Sequence, residues 1–189
     1  MEHKGTRTIR TKRLILRKIE AGDMESIQQW MKNPEITRYE DWIPHESVVY
    51  THGFFFWLTG DYENDQTYCW GMQLGEEIVG FALVMNVNEW SGSVAYYVRR
   101  DLWSNGYATE AVDAIMNYMF FEVGVERITA KHSIKNTASG RVLKKLGMRY
   151  RGHVKEYEYY GSKSEWHDCD FYAITKEQYI ELKRDCDKT

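Results

Sequence analysis

The sequence predicts an α/β (α+β) fold, one domain over residues 1–189 with a mixed, mostly antiparallel sheet of about seven strands flanked by helices. Three observations carry this expectation. Two apolar runs, residues 66–74 and 78–85, flank Gly75-Glu76 and read as a hairpin. Apolar residues at Ala108, Ala111, Val112, Ile115, Met119 and Val123 trace one face of a helix over residues 107–123. Strand patterns at residues 93–99 and 127–133 bracket that helix, so it crosses over between parallel strands.

The remaining elements follow in chain order. Residues 8–18 alternate through Ile9, Leu14 and Leu16 and predict one first strand. Asp23 reads as the N-cap of a helix whose apolar face holds Met24, Ile27, Trp30 and Met31. A second helix is expected within residues 46–59, despite Gly53. Asn136 to Leu146 predicts a short helix stopped by Gly147 at C′. Residues 148–160 and 165–172 read as strands joined at Gly161-Ser162, and Thr175 with Gln178 forms a capping box for a closing helix.

Composition bounds the function. The chain is 43% hydrophobic and 28% charged, which is ordinary for a globular protein and argues against disorder. A net charge of -3 argues against nucleic acid as a direct partner and suits cationic amines. No run reaches the roughly 18 apolar residues that span a membrane. The N-terminal segment is charged and lacks a signal-peptide core, so the expected location is cytoplasmic. Cys69, Cys169 and Cys186 form no disulfide framework, and neither they nor the six scattered histidines suggest a metal site.

The chemistry gathers where the strand at 93–99 meets the long helix. Gly106 removes a Cβ where the backbone must turn, and Ala108 keeps the next turn small. The amides of Ser104, Asn105, Gly106, Tyr107, Ala108 and Thr109 are then free to converge on an anion at the helix start. The helix dipole adds on the order of 0.3–1 kcal/mol there. Hydrogen bonds to charged oxygens contribute roughly 1.5–3 kcal/mol apiece, so the amides are the larger part of the grip. Taken alone, Gly-x-Ala reads as an ordinary strand-to-helix turn in which Gly and Ala serve geometry. It lacks the three glycines of a dinucleotide fingerprint and the Lys-Ser or Lys-Thr of a P-loop.

The surrounding blocks resemble the GNAT superfamily of N-acetyltransferases, and within it the branch of the RimJ and RimL ribosomal-protein N-terminal acetyltransferases. The family's phosphate motif is Gln/Arg-x-x-Gly-x-Gly/Ala, and this chain reads Trp103-Ser104-Asn105-Gly106-Tyr107-Ala108. Asn136-x-x-Ser139 follows, and then a helix ending Leu146-Gly147-Met148. The opening TKRLILRKIEAGDMESI and the closing HDCDFYAITKEQY extend the likeness over nearly the whole chain.

The resemblance implies a sheet splayed at the phosphate-loop strand, with acetyl-CoA as co-substrate and no metal. It implies that the pantetheine arm bonds the backbone near Tyr97 and Val98, that Asn136 binds the arm or acetyl region, and that Ser139 gives a proton to the departing thiolate. Asn136 also fits as the N-cap of its helix. The implied partner is an amine, either a protein N-terminal α-amine or a small molecule such as a polyamine or antibiotic, and the implied state is monomer or homodimer. A non-catalytic acyl-CoA-binding module on the same fold is the alternative.

One departure stands out. Many relatives carry Glu where this chain has Ser93, so the usual general base is absent. Substitutes by sequence are Glu89, His153, Glu156, Glu158 and Asp168, although strand carboxylates near Lys155 and Lys163 read as solvated pairs. Glu110 reads as a charge complementing the helix dipole. Arg99 and Arg100 could attract phosphates, and Trp42 and Trp166 could wall an acceptor groove.

Overall fold

The computed structural model describes residues 2–63 and 65–186; Met1, Asn64 and residues 187–189 lie outside the described residues. Its strands are β1 (Ile9–Arg10), β2 (Ile15–Arg17), β3 (Tyr68–Leu74), β4 (Glu77–Met85), β5 (Ser91–Val98), β6 (Arg127–Ser133), β7 (Arg149–Tyr160) and β8 (Glu165–Thr175). Its helices are α1 (Met24–Met31), α2 (Val48–Thr59), α3 (Tyr107–Tyr118), α4 (Thr137–Lys145) and α5 (Lys176–Cys186). The strands form one sheet in the order β1-β2-β3-β4-β5-β6-β8-β7, antiparallel throughout except for the parallel pair β5–β6.

Eight strands stand where about seven were expected, because the first one is two. Thr11 N donates to Leu14 O at 2.9 Å and folds residues 11–14 into a turn, so β1 pairs back onto β2. Asp23 stands at the N-cap of α1 as expected, but its side chain caps no helix amide. A 3₁₀ turn, Ala21–Asp23, precedes α1 and is capped by Glu20, while the Asp23 carboxylate holds Arg17 through two 2.8 Å bonds.

The other local signals behave as the sequence predicts. Gly75 turns the β3–β4 hairpin at φ +63°, and Thr175 and Gln178 exchange reciprocal 3.2 Å bonds ahead of α5. At Gly147, φ is +73°, and its amide and that of Met148 bond back to Lys144 O and Leu143 O. The long central helix is α-helical only to Tyr118. It then widens into a π turn over Met119–Val123 that keeps Met119, Phe120 and Val123 buried.

Two cores sit on opposite faces of the sheet. One packs α3 residues Ala111, Val112 and Ile115 with Tyr179 of α5 against Trp70, Val79 and Ala82. The other packs Ile27, Trp30 and Met31 of α1 with Phe55 of α2 against Phe81 and Leu83. The aromatic run of α2 therefore divides: Phe55 is buried, whereas Phe56 and Trp57 are exposed. Cys69 and Cys169 are buried free thiols, and the side chain of Cys186 lies outside the described residues.

Candidate active site

The parallel pair defines the site. β5 and β6 are in register only at Ser91–Arg127, Gly92–Ile128 and Ser93–Thr129; beyond Ser93 they part. Antiparallel pairing makes alternate residues bond their partner strand. Arg99 N donates to Val79 O at 2.8 Å, and the register places Tyr97 opposite Phe81. Arg99 and Tyr97 thus turn their backbone groups to β4, and Tyr96 and Val98 turn theirs into the gap. One of these is already used: Trp103 Nε1 donates to Val98 O at 2.6 Å. Of the two residues the resemblance implied, Val98 faces the gap by its backbone, whereas Tyr97 is placed to act through its side chain.

The turn that follows has the conformation an anion cradle requires. Ser104 (φ +65°) and Gly106 (φ +84°) are both left-handed, and Asn105 Nδ2 braces the turn on Leu102 O and Trp103 O. The first ladder bond of α3 is Glu110 N to Gly106 O at 3.0 Å. The amides of Tyr107, Ala108 and Thr109 precede it and have no intrahelical acceptor, so they point out of the helix start.

Sequence reasoning missed Arg13 here. From the β1–β2 turn its guanidinium bonds Asn105 O at 2.9 Å and Glu110 Oε2 at 2.6 Å, and it lies 4.3 Å over the Tyr107 ring. Burial alone would raise the Glu110 pKa. Hydrogen bonds from Thr11 and Arg13 outweigh it and hold the carboxyl below its ordinary range. Glu110 is therefore an anchor for the Ser104–Gly106 turn, through Arg13, as well as a charge at the helix start. Arg99 and Arg100 are committed to carboxylates instead, Arg99 to Glu77 and Asp101, and Arg100 to Glu35.

On the α3–α4 face, Tyr96 reaches across the gap. Its hydroxyl lies 2.9 Å from Ser139 Oγ, where either oxygen can be the donor, and within donating distance of Ser139 O at 3.0 Å. Burial lifts the Tyr96 phenol above the ordinary tyrosine range, only partly offset by the Ser139 bond, so it is protonated at neutral pH. Asn136 caps α4, its Oδ1 accepting from Ser139 N at 3.2 Å. The cap uses only the oxygen, and the carboxamide nitrogen takes no part in it.

On the α1–α2 face lies a carboxyl that no sequence signal marked. Tyr97 Oη donates to Glu40 Oε2 at 2.9 Å, and Trp42 stands edge-on to the Tyr97 ring at 5.7 Å. Burial pushes the Glu40 pKa up to about 7, against the lowering effect of the Tyr97 bond. The segment carrying Glu40 is clamped by the β7–β8 turn. Lys163 Nζ donates to Thr37 O and Glu40 O, Tyr160 Oη to Tyr39 O at 2.8 Å, and Ser162 N to Asp41 Oδ1 at 3.2 Å.

Of the groups singled out by sequence, Glu158 lies near enough to Glu40 to raise its pKa, and the others are engaged or exposed elsewhere. His153 pairs with Asp170 at 3.0 Å and Asp168 at 3.5 Å, and Glu158 pairs with Lys131. Glu89 and Glu156 are exposed. Trp166 is exposed and packs on Tyr159 at the hairpin, so of the two expected groove residues only Trp42 adjoins Tyr97.

Residues 13–149 match the acetyltransferase (GNAT) domain family, nearly three-quarters of the chain. The chain belongs to the GNAT acetyltransferase family. This GNAT domain is accordingly an acetyl-CoA-dependent N-acyltransferase. It is 28% identical over 173 residues to the uncharacterized N-acetyltransferase YoaA of Bacillus subtilis, covering 89% of this chain and 96% of YoaA. It superposes on a GNAT acetyltransferase from Bacillus anthracis with a TM-score of 0.79 at 27% identity, over 90% of this chain and 99% of that one. RimL, a ribosomal L7/L12 α-N-protein acetyltransferase solved with coenzyme A, gives a TM-score of 0.81 at 18% identity, over 89% of this chain and 98% of RimL. At that identity the likeness to RimL is one of fold. Among the described residues, no helix is long and apolar enough to cross a membrane, and no cluster of His, Cys, Asp or Glu could hold a metal ion.

Proposed function

We propose that this protein moves the acetyl group of acetyl-CoA to the α-amine of a protein N-terminus by direct attack of the amine on the thioester. The observation that carries the reading is the parted β5–β6 pair opening beside the left-handed Ser104–Gly106 turn. In this reading the amides from Ser104 to Thr109 hold the pyrophosphate. The backbone of Val98 and the carboxamide of Asn136 line the path of the pantetheine arm. Tyr97 contributes its side chain on the acceptor face. A gap-facing amide of β5 stabilises the oxyanion, and fixed proximity supplies much of the acceleration. The Tyr96–Ser139 pair returns a proton to the departing sulfur.

The acceptor class follows from proton arithmetic and from the resemblance to the RimJ/RimL branch. An α-amine with pKa near 7.7–8.0 is already neutral in about a tenth of molecules or more at pH 7, but a lysine amine near 10.4 in only about one of 2,500. A site whose ordinary strand carboxylate is replaced by Ser93 favours the first.

The test is CoA-thiol release from acetyl-CoA against a panel of amines. It comprises peptides with free α-amines, the same peptides blocked at the N-terminus but carrying lysine, polyamines and amino sugars. Release with free α-amine peptides alone is the expected result. Faster release with a polyamine or amino sugar would move the acceptor to the small-molecule class. CoA binding without release for any amine would leave only an acyl-CoA-binding module.

A further inference from the structure

Side chains alternate along a strand, so Ser93, Ala95 and Tyr97 of β5 share a face; Ala95 and Tyr97 both pack against the α1–α2 core. That is the face into which a carboxylate at position 93 would project. Glu40 enters the same face from the segment between α1 and α2, its carboxyl fixed by the 2.9 Å bond from Tyr97 Oη. Neither Glu40 nor Tyr97 is fully buried.

We propose that Glu40 is the general base of this enzyme, a catalytic residue supplied by the α1–α2 segment in place of the strand acid, with Tyr97 as its positioning residue. The inference rests on the acetyltransferase reading above. The acceptor arrives as an ammonium and must shed two protons. One passes to the Glu40 carboxylate and then to solvent. The freed nitrogen lone pair attacks the acetyl carbon while the carbonyl π pair moves to oxygen. Collapse of the tetrahedral adduct breaks the carbon–sulfur bond, and the second amine proton ends on sulfur through the Tyr96–Ser139 hydroxyls. The products are amide, free CoA thiol and one released proton.

The surroundings suit a base working near neutrality. Facing Glu40 are Tyr97 from β5, Lys131 from β6, Glu158 and Tyr160 from β7, and Lys163 from the β7–β8 turn. Glu158 raises its pKa and the two lysines lower it, and burial is the largest influence. A base of pKa about 7 is closely matched to an α-ammonium at 7.7–8.0 and poorly matched to a lysine near 10.4.

The decisive measurement is the pH profile of kcat/KM for wild type, Glu40→Gln, Glu40→Asp and Tyr97→Phe, with CoA affinity measured in parallel. Glu40→Gln keeps an acceptor for the tyrosine and removes a charge, so it should fold and bind CoA normally. Its kcat/KM should fall roughly 10²–10⁴-fold at pH 7, and the acidic limb should lose one unit of slope. Glu40→Asp should keep the limb at reduced rate, and Tyr97→Phe should move the limb to higher pH. A Glu40→Gln enzyme within about threefold of wild type, with an unchanged limb, overturns the assignment and leaves the acetyltransferase reading intact. A wild type that binds CoA but releases no thiol with any amine overturns both.

Discussion

The Tyr96 hydroxyl, on β5, meets Ser139 Oγ, on α4, at 2.9 Å across the gap where the sheet opens. The two residues are 43 positions apart, and this contact joins the strand to the helix. If the pair returns the proton to sulfur, Tyr96→Phe and Ser139→Ala should each lower kcat by about 10- to 100-fold, with CoA affinity within about threefold. The double variant should be little worse than either single one, because both remove one relay. Additive losses in single-turnover thiol release would show that the hydroxyls act separately.

Gly106 adopts φ +84°, and a Cβ there would meet only Arg13 Nη2 at 3.5 Å, an ordinary contact. Gly106→Ala should therefore fold with a loss of about 1–2 kcal/mol from backbone strain. Gly106→Val should lose somewhat more, yet the larger effect should be on ligand affinity, since the side chain enters the space of the phosphate oxygens. Calorimetric titration with CoA should show affinity down by tenfold or more in both. A folded Gly106→Val protein with unchanged affinity would remove the cradle assignment.

Glu110 carries a depressed pKa, so its contribution is present above the unfolded-state pKa and is lost as pH falls through the lower folded value. Glu110→Gln should destabilise the protein by about 1 kcal/mol at pH 7, and the difference should shrink towards zero below about pH 4. Urea unfolding at both pH values measures this. A difference independent of pH would mean that the Thr11 and Arg13 bonds act without the charge.

Glu40 has the opposite sign. Its folded pKa of about 7 lies above the ordinary 4.5, so ionisation opposes folding. The penalty is absent below about pH 4.5, grows as pH rises towards 7 and is complete above it. Glu40→Gln should thus match wild type in stability near pH 4.5 and exceed it by about 2 kcal/mol at pH 8. Thermal unfolding at the two pH values checks this without reference to activity.

Gly80 of β4 lies where the site's own strand is held. A Cβ there would stand 2.4 Å from Tyr97 O, a backbone atom that cannot swing aside. Gly80→Ala should destabilise the protein by about 1–3 kcal/mol and displace β5 from β4. Loss of acetyl transfer with stability intact would argue for a different role.

What the sequence made legible was what is local. Gly75, Gly147 and the Thr175–Gln178 box each act within a few residues, and the apolar face of α3 repeats along one helix. The strand-to-helix turn was legible for the same reason, since Trp103 to Thr109 are contiguous. Glu40 was not, because its position is set by Lys163, Tyr160 and Ser162, 120 or more residues away. Arg13 was hidden likewise, in a turn whose meaning depends on Glu110, 97 positions on. The split of the first strand escaped because its alternation continues through a turn closed by Thr11 and Leu14. The segment that carries Glu40 is held by distant clamps, which leave no spacing to read.

The divergence of β5 from β6 also has a thermodynamic side. A strand that loses its neighbour midway leaves amides and carbonyls that water must satisfy, and such segments open more readily than the rest of a sheet. A coenzyme arm seated there would act as a borrowed strand, completing the ladder from outside the chain. Amide exchange at Tyr96 and Val98 would then slow on CoA binding while that of Tyr97, already bonded to β4, would barely move. Ligand occupancy would therefore be written into the rigidity of the sheet, and the fold would be whole only while loaded.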